Sequence, residues 1–198
     1  MIELFNSINS AFCNFFGISS YIQGIVVMVC INTIAVLGMS VLTGFTRLFS
    51  FGNAGFMSIG AYTAAILAVR FHVNFILAII IGALFAGFVA FLLGSLTLKL
   101  KGDYFLITCL GFGECVRVLF NYTTKLTGGS AGFPGIPNYS NMLFSIVCLV
   151  IAFYIAWRFI HSKFGRNLTA IRENEMAASA VGINAFRAKR MSFTFSAI

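Results

Sequence analysis

Two charged residues, Glu114 and Arg117, interrupt an apolar stretch and are the first candidates for chemistry in this sequence. Their spacing places both side chains on one face of a helix, where they can neutralise each other. Ionisable groups inside an apolar segment are costly, and by default they face an interior path. The pair therefore predicts either contact with a polar solute or a structural ion pair that locks two helices.

A second polar group lies in "LFSFGNAGFMSIGAY", where small and polar residues crowd together. Irregular backbone at membrane depth is tolerated only where protein or a water-filled cavity surrounds it. The stretch predicts a broken or re-entrant helix whose N–H groups face a solute carboxylate. Tight helix packing is the alternative, because small residues serve close packing equally well. The residues are Ser50, Gly52, Asn53, Gly55, Ser58 and Gly60, with Ser50 and Asn53 as candidate path residues.

Residues suited to catalysis or metal binding are sparse. The two histidines, His72 and His161, lie in separate loops, and neither has a base or a ligand set nearby in the sequence. The five cysteines show no C-x-x-C spacing, which favours a packing role. The string "GFGE" at 111–114 follows an apolar helix and not a strand, so it does not indicate a nucleotide-binding loop. We expect no catalytic residue, metal site or cofactor in this chain.

The composition indicates a membrane protein. The chain has 198 residues, of which 60% are hydrophobic and 9% charged, whereas roughly a quarter of the residues in a soluble domain are charged. The net charge of +8 does not indicate nucleic-acid binding, because no basic stretch interleaves with stacking aromatics on a polar background. The lipid bilayer is the expected partner.

Five stretches approach the roughly 20 apolar residues that a helix needs to cross a bilayer. We predict an all-α, polytopic integral membrane protein with about five complete transmembrane helices. After Arg190 the chain starts a sixth apolar segment and ends at Ile198, so we expect a C-terminal truncation. Residues 1–20 carry Phe and Ile on one helical face and predict an interfacial helix. The five predicted spans are 21–43, 48–69, 74–98, 104–121 and 139–157.

The basic residues of the loops predict the orientation, because loops rich in Lys and Arg stay in the cytoplasm. One set of alternate loops holds ten basic residues, and the other holds only Arg70 and Lys125. We therefore expect the N-terminus outside and loop 159–190 in the cytoplasm. The ten residues are Arg47, Lys99, Lys101, Arg158, Lys163, Arg166, Arg172, Arg187, Lys189 and Arg190.

The cytoplasmic loop predicts a helix that ends before Gly182, followed by a shorter helix with Asn184 as its N-cap. Its alanines allow another protein's groove to approach the backbone closely, while charged residues form a polar rim. An ordinary solvated helix is the alternative. The positions at helical spacing are Leu168, Ile171, Glu175, Ala178 and Val181.

The outer segment "LTGGSAGFPGIP" combines four glycines with two prolines, a composition typical of a shaped turn. It either docks an extracytoplasmic partner or serves as a plain connector. The candidate docking residues are Gly128, Gly129, Ser130 and Pro134.

Four motifs, in this order and at these spacings, resemble the permease subunits of branched-chain amino-acid ABC importers, over roughly residue 41 to the C-terminus. The resemblance implies an incomplete ABC importer permease domain over 21–198, in the bacterial inner membrane. It implies four partner subunits: a second related permease, two cytoplasmic ATPases that bind ATP, and a periplasmic or extracellular solute-binding protein. The motifs are "FSFGNAGFMSIGAYTAAILA", "LKLKGDYFLITCLGFGECVRVLFN", "LTGGSAGFPGIP" and "SKFGRNLTAIRENEMAASAVGIN".

The same resemblance implies that loop 159–190 carries the coupling helix that contacts an ATPase. The family pattern is Glu-Ala-Ala, three residues, then Gly, and "MAASAVG" fits it except that Met176 replaces Glu. Any acidic contribution then moves to Glu173 or Glu175. The implied coupling residues are Arg172, Glu173, Glu175, Ala177, Ala178 and Gly182.

We therefore interpret the chain as a permease subunit that forms the translocation path for branched-chain amino acids. Import of urea, short amides or another small solute is an alternative, since related permeases share the loop. An ion-conducting or proton-conducting subunit, with Glu114 and Arg117 in a relay, is the alternative from a different class. That alternative predicts no ATPase partner, and the coupling-like helix argues against it.

Overall fold

The described residues form helices and no strands in the computed structural model. The structure describes residues 19–46, 50–98, 100, 103–129, 132–133 and 141–198. The predicted interfacial helix at 1–20 therefore lies almost wholly outside the described residues. The helices are α1 (Ser20–Thr46), α2 (Asn53–Arg70), α3 (Phe75–Thr97), α4 (Asp103–Tyr122), α5 (Thr124–Thr127), α6 (Met142–Ile160), α7 (Lys163–Glu173), α8 (Glu175–Ala180) and α9 (Ala185–Ala197).

Four of these helices are long and apolar enough to cross a membrane: Tyr21–Thr46 in α1, all of α3, Tyr104–Tyr122 in α4, and α6. The prediction of an all-α, multi-pass membrane protein is confirmed. Among the described residues, the number of such helices is one lower than the five complete spans predicted, because α2 falls short. Its 18 residues extend about 27 Å, it begins at Asn53 and ends at Arg70, and small polar residues reduce its apolar character.

The chain divides into two compact units. The first takes the described parts of 1–37 and 137–158, and the second takes those of 38–136 and 159–198. In the first unit, large apolar side chains such as Val36 and Val150 are exposed on the helix surfaces. Such surfaces suit lipid, which does not penalise exposed apolar groups.

The second unit has a core that joins five helices, with the fully buried Leu42 contributed by α1. Phe193 of α9 makes edge-to-face contacts with Phe56 of α2 and Phe105 of α4, at centroid distances of 5.5 and 5.9 Å. Such aromatic pairs add to the stabilisation from burial. Ala90 of α3 and Cys109 of α4 belong to the same core, and both are fully buried. The segment that begins the predicted sixth span thus packs against the earlier helices.

Small residues bring α2 and α3 close together. A Cβ atom on Gly82 would lie 2.7 Å from the Gly60 carbonyl oxygen and 3.2 Å from the Cβ of Ala64. Neither distance leaves room for a side chain, so the backbones touch at this crossing. Gly82 and Ala86 are both buried at this crossing. In lipid, this kind of packing replaces the hydrophobic driving force between helices.

Candidate functional site

In loop 159–190, the helices α7 and α8 meet at Asn174. The prediction of one continuous helix is wrong, because Asn174 adopts an extended backbone, with φ −153° and ψ 110°, between α7 and α8. Its side-chain oxygen accepts hydrogen bonds from the backbone N–H groups of Met176 and Ala177, both at 3.0 Å. Asparagine is a favoured N-cap because it satisfies such orphan donors. The break turns α8 into a separate six-residue helix.

The end of α8 and the start of α9 match the sequence prediction. Gly182 has φ +88°, a left-handed conformation that favours glycine, and its N–H donates to the Ser179 carbonyl. Asn184 caps α9 by accepting a hydrogen bond from the Arg187 N–H at 3.0 Å. Both boundary predictions are confirmed.

Burial divides the predicted apolar positions of the loop. Leu168, Ile171 and Ala178 are buried within the chain, as their spacing predicts. Val181 is 83% exposed and Met176 is 86% exposed. Burying a large apolar side chain is worth about 1.5–3 kcal/mol. Met176 lies in α8 and Val181 is the C-cap of that helix, so the two side chains mark a surface that gains from being covered.

Four charged residues around α8, namely Arg172, Glu173, Glu175 and Lys189, are bonded within the chain. Arg172 donates from Nη1 to the carbonyl of Gly44, near the end of α1, at 3.2 Å. Its Nε and Nη2 donate to Oε1 of Glu173 at 3.2 and 3.0 Å. Glu175 accepts from Nζ of Lys189 on α9 at 2.7 Å. The structure thus gives three of the residues predicted for coupling, Arg172, Glu173 and Glu175, partners within the chain, and it adds Lys189, for which the sequence pattern offered no signal.

The glycine-rich start of α2 packs tightly on α4. A Cβ on Gly52 would lie 3.2 Å from the Cys109 carbonyl oxygen, and a Cβ on Gly55 would lie 3.2 Å from Cα of Gly113. Ser50 is buried, and its hydroxyl accepts a hydrogen bond from the Gly52 N–H. Asn53 is half-buried as the first residue of α2. The glycines serve close packing, and the path role of Ser50 and Asn53 stays a prediction.

Glu114 and Arg117 form an ion pair on an exposed face of α4. Nη1 of Arg117 lies 3.2 Å from Oε2 of Glu114, and the two side chains are 71% and 57% exposed, respectively. The pair therefore joins two positions of one helix and does not lock two helices of the described chain. Their helix is long and apolar enough to span a membrane, and the pair lies towards its middle. A charged pair at that depth is expensive against lipid, so this face suits contact with water or another protein.

The glycine-rich segment 126–137 is described only in part. Gly128 and Gly129 have positive φ angles of 76° and 62°. The Thr127 hydroxyl donates to the carbonyls of Phe120 and Thr123 at 2.6 and 2.9 Å. These bonds fix the start of the turn, and the sequence pattern does not indicate this role for Thr127. Ser130 and Pro134 lie outside the described residues. In the part of the chain that the structure describes, no His, Cys, Asp or Glu cluster is arranged to hold a metal ion.

Comparison with known proteins places these features in a family. The sequence model of the branched-chain amino acid transport system permease components matches residues 21–198. The high-affinity branched-chain amino acid transport system permease protein LivM of Escherichia coli (strain K12) is 32% identical, over 92% of this chain and 51% of that protein. LivM of Salmonella typhimurium is 31% identical, over 87% of the chain and 49% of that protein.

A more distant organism gives a shorter match. The probable branched-chain amino acid transport permease protein LivM of Methanocaldococcus jannaschii is 32% identical, over 52% of the chain and 34% of that protein. No solved structure matches the chain with statistical significance. The chain spans about half the length of the bacterial relatives it matches. With nearly its whole described length matched, this chain belongs to the family of permease components of branched-chain amino-acid transport systems.

Proposed function

We propose that the chain works in the inner membrane as part of the permease subunit of a binding-protein-dependent ABC importer for branched-chain amino acids. The family and the names of its relatives support this transport role. They favour branched-chain amino acids over urea or short amides. They also favour a transporter over an ion-conducting subunit.

The exposure of Met176 and Val181 carries the proposal that α8 contacts an ATPase. The two side chains project from opposite ends of α8, while Ala178 between them is anchored inside the chain. Ala177 and Ala180 are also exposed and are small enough for a groove to reach the helix backbone. We assign this surface, formed by Met176, Ala177, Ala180 and Val181, to a cytoplasmic ATPase that binds ATP and supplies the energy. A second related permease and a second ATPase complete the membrane assembly.

The orientation follows from the distribution of basic residues. Lys163 and Arg166 are exposed on α7, the helix that precedes α8 in the sequence. Loops rich in Lys and Arg stay in the cytoplasm. The N-terminus then lies outside. The turn around Gly128, Gly129, Ser130 and Pro134 faces the solute-binding protein on the outer side.

The exposed face of α4 supports a role in the translocation path. Glu114 and Arg117 neutralise each other, so the face presents dipoles without net charge. An amino acid carries both charges as well, and its ammonium and carboxylate find complementary partners on such a pair. Ser50 and Asn53 belong to the same proposed path at the start of α2. Catalysis by this chain itself is not part of the proposal.

Co-purification with the ATPase subunits tests the α8 surface. Ala177→Trp adds bulk at an exposed position of α8, and Phe164→Trp adds the same residue at an exposed position of α7. We expect the first change to abolish ATPase association and the second to leave it intact, with similar membrane yields. Equal association for both variants would contradict the assignment of α8. Ala178→Trp is unsuitable, because Ala178 is buried and the change would disturb the chain itself.

Uptake of labelled leucine tests the path. Glu114→Gln, Arg117→Gln and Asn53→Leu should each reduce uptake while assembly persists. The exchanged pair Glu114→Arg with Arg117→Glu keeps the ion pair but moves the charges. We expect uptake to stay low in the exchanged variant, because the solute meets each charge at a new position. Full uptake in the exchanged variant would assign the pair a purely structural role.

A further inference from the structure

Glu175 is bonded to its own chain and not held free for a partner. Its Oε2 lies 2.7 Å from Nζ of Lys189, which is fourteen residues away on α9. The Lys189 side chain is 18% exposed, whereas that of Glu175 is 55% exposed. The ammonium is therefore enclosed near the packed side of α9, and the carboxylate reaches it from α8.

The residue after Lys189 continues the connection to α3. The guanidinium carbon of Arg190 lies 4.4 Å from the ring centroid of Phe91, and Nη1 donates to the Ser95 hydroxyl at 3.4 Å. Phe186, one turn earlier on α9, faces the same guanidinium at 5.6 Å. A cation over an aromatic face is favourable, and more so when water is partly excluded. Two successive residues of α9 thus reach α8 on one side and α3 on the other.

The short helix α8 lies between two points where the backbone can change direction. Asn174 is extended on one side, and Gly182 has a positive φ on the other. Ala178 anchors α8 by burial, but a single small side chain does not determine the direction in which a helix moves. The ion pair between Glu175 and Lys189 determines that direction, because it joins the first residue of α8 to a fixed position on α9.

We infer that the Glu175–Lys189 ion pair passes the displacement of α8 to α9, and through Arg190 to α3. Glu175 and Lys189 are then positioning residues for transport, and Glu175 does not serve as an ATPase contact. The inference rests on the proposed function. The Glu175 side chain stays 55% exposed, and an ion pair with one solvated partner adds little to stability, so its loss should leave the fold intact while weakening the transmission of motion.

A second connection runs in parallel from α7 to α1. Arg172 donates to the Gly44 carbonyl, one of the last carbonyls of α1, which lack partners within the helix. A cation at this end also suits the helix dipole. This bond holds α7 in place. A displacement of α8 therefore bends the chain at Asn174 and is transmitted to α9.

The ratio of solute transported to ATP hydrolysed tests the inference in the assembled transporter, reconstituted in liposomes with its binding protein. We expect Glu175→Gln and Lys189→Met each to lower this ratio by about threefold or more, while the ATPases still co-purify. The reversed pair, Glu175→Lys with Lys189→Glu, should restore most of the ratio. Lys163→Met is the matched control, because it makes the same change as Lys189→Met at an exposed position of α7, and it should change the ratio little.

Three results separate the inference from the proposed function. An unchanged ratio in both single variants overturns the transmission role. Loss of ATPase association in Glu175→Gln, without rescue by the reversed pair, also overturns it and makes Glu175 an ATPase contact. If no ATPase co-purifies even with the unaltered chain, the proposed function itself fails, and the inference with it.

Discussion

The Ser196 hydroxyl donates a 2.7 Å hydrogen bond to the carbonyl of Gly38, and so links the end of α9 to the second half of α1. The contact is close because Gly38 has no side chain. A Cβ at this position would lie 2.8 Å from the Ser196 carbonyl oxygen. Glycine here therefore permits the two backbones to touch, as small residues do in other membrane helix pairs.

Replacing Gly38 with alanine should destabilise the protein by about 1–3 kcal/mol, because the new methyl group forces two backbones apart. Gly24→Ala is the matched control on the same helix, since a Cβ there meets no atom within 4 Å. Alanine favours helix over glycine by about 1 kcal/mol, so this control should be neutral or slightly stabilising. Thermal unfolding in detergent measures both, and equal melting temperatures would contradict the close contact.

The corner between α6 and α7 should depend on Gly165. The helices are separated by His161 and Ser162 alone, and a Cβ on Gly165 would overlap the Ile160 carbonyl. We expect Gly165→Ala to destabilise the protein by about 3 kcal/mol, or to reduce its membrane yield. Gly111→Ala, at an open helical site, should be tolerated. Alanine has a higher helix propensity than glycine at both sites. A loss of stability or yield confined to Gly165→Ala therefore identifies the steric overlap as its cause.

The apolar runs predicted most of the fold, because each span needs a long stretch without charge and such stretches are visible in sequence. The α2 span was the exception. Its small residues serve contact with α3 and α4, as at Gly60 and Gly55, and this packing requirement competes with the length and hydropathy of a complete span. The boundary residues Gly182 and Asn184 were predictable because their roles are local.

The break at Asn174 had a local signal that the periodic pattern hid. Asparagine followed by Glu175 is a typical helix start, but Leu168, Ile171 and Ala178 continue the helical spacing across it. The partners of Arg172 and Glu175 had no such signal. Gly44 and Lys189 approach them only through the packing of α1 and α9, and a single sequence does not show which distant segments meet.

The loop between α2 and α3 holds His72 in a left-handed conformation, with φ of 50°. Such a backbone costs an L-residue about 1–2 kcal/mol, and it costs glycine almost nothing. We expect His72→Gly to be at least as stable as the original chain, and His72→Val to be less stable by about 1 kcal/mol. Thermal unfolding in detergent gives the order. A valine variant as stable as the glycine variant would contradict this backbone conformation.

Hydrogen exchange at α8 should report on the cap that Asn174 provides. Asn174→Ala removes the acceptor of the Met176 and Ala177 N–H groups, and loss of an N-cap costs about 1 kcal/mol. We expect these amides to exchange several-fold faster, because α8 has only six residues and frays readily. Asn174→Asp keeps an acceptor and should restore slow exchange.

Asn184→Ala is the matched control, since it removes the same side chain from the cap of α9. It should speed exchange at the Arg187 amide, which donates a hydrogen bond to the Asn184 side chain. Exchange at Met176 and Ala177 should stay unchanged. Mass spectrometry of peptides on either side of Gly182 separates the two effects. If both substitutions speed exchange along the whole of 174–187, α8 and α9 open as one unit, and Asn174 does not act as an independent hinge.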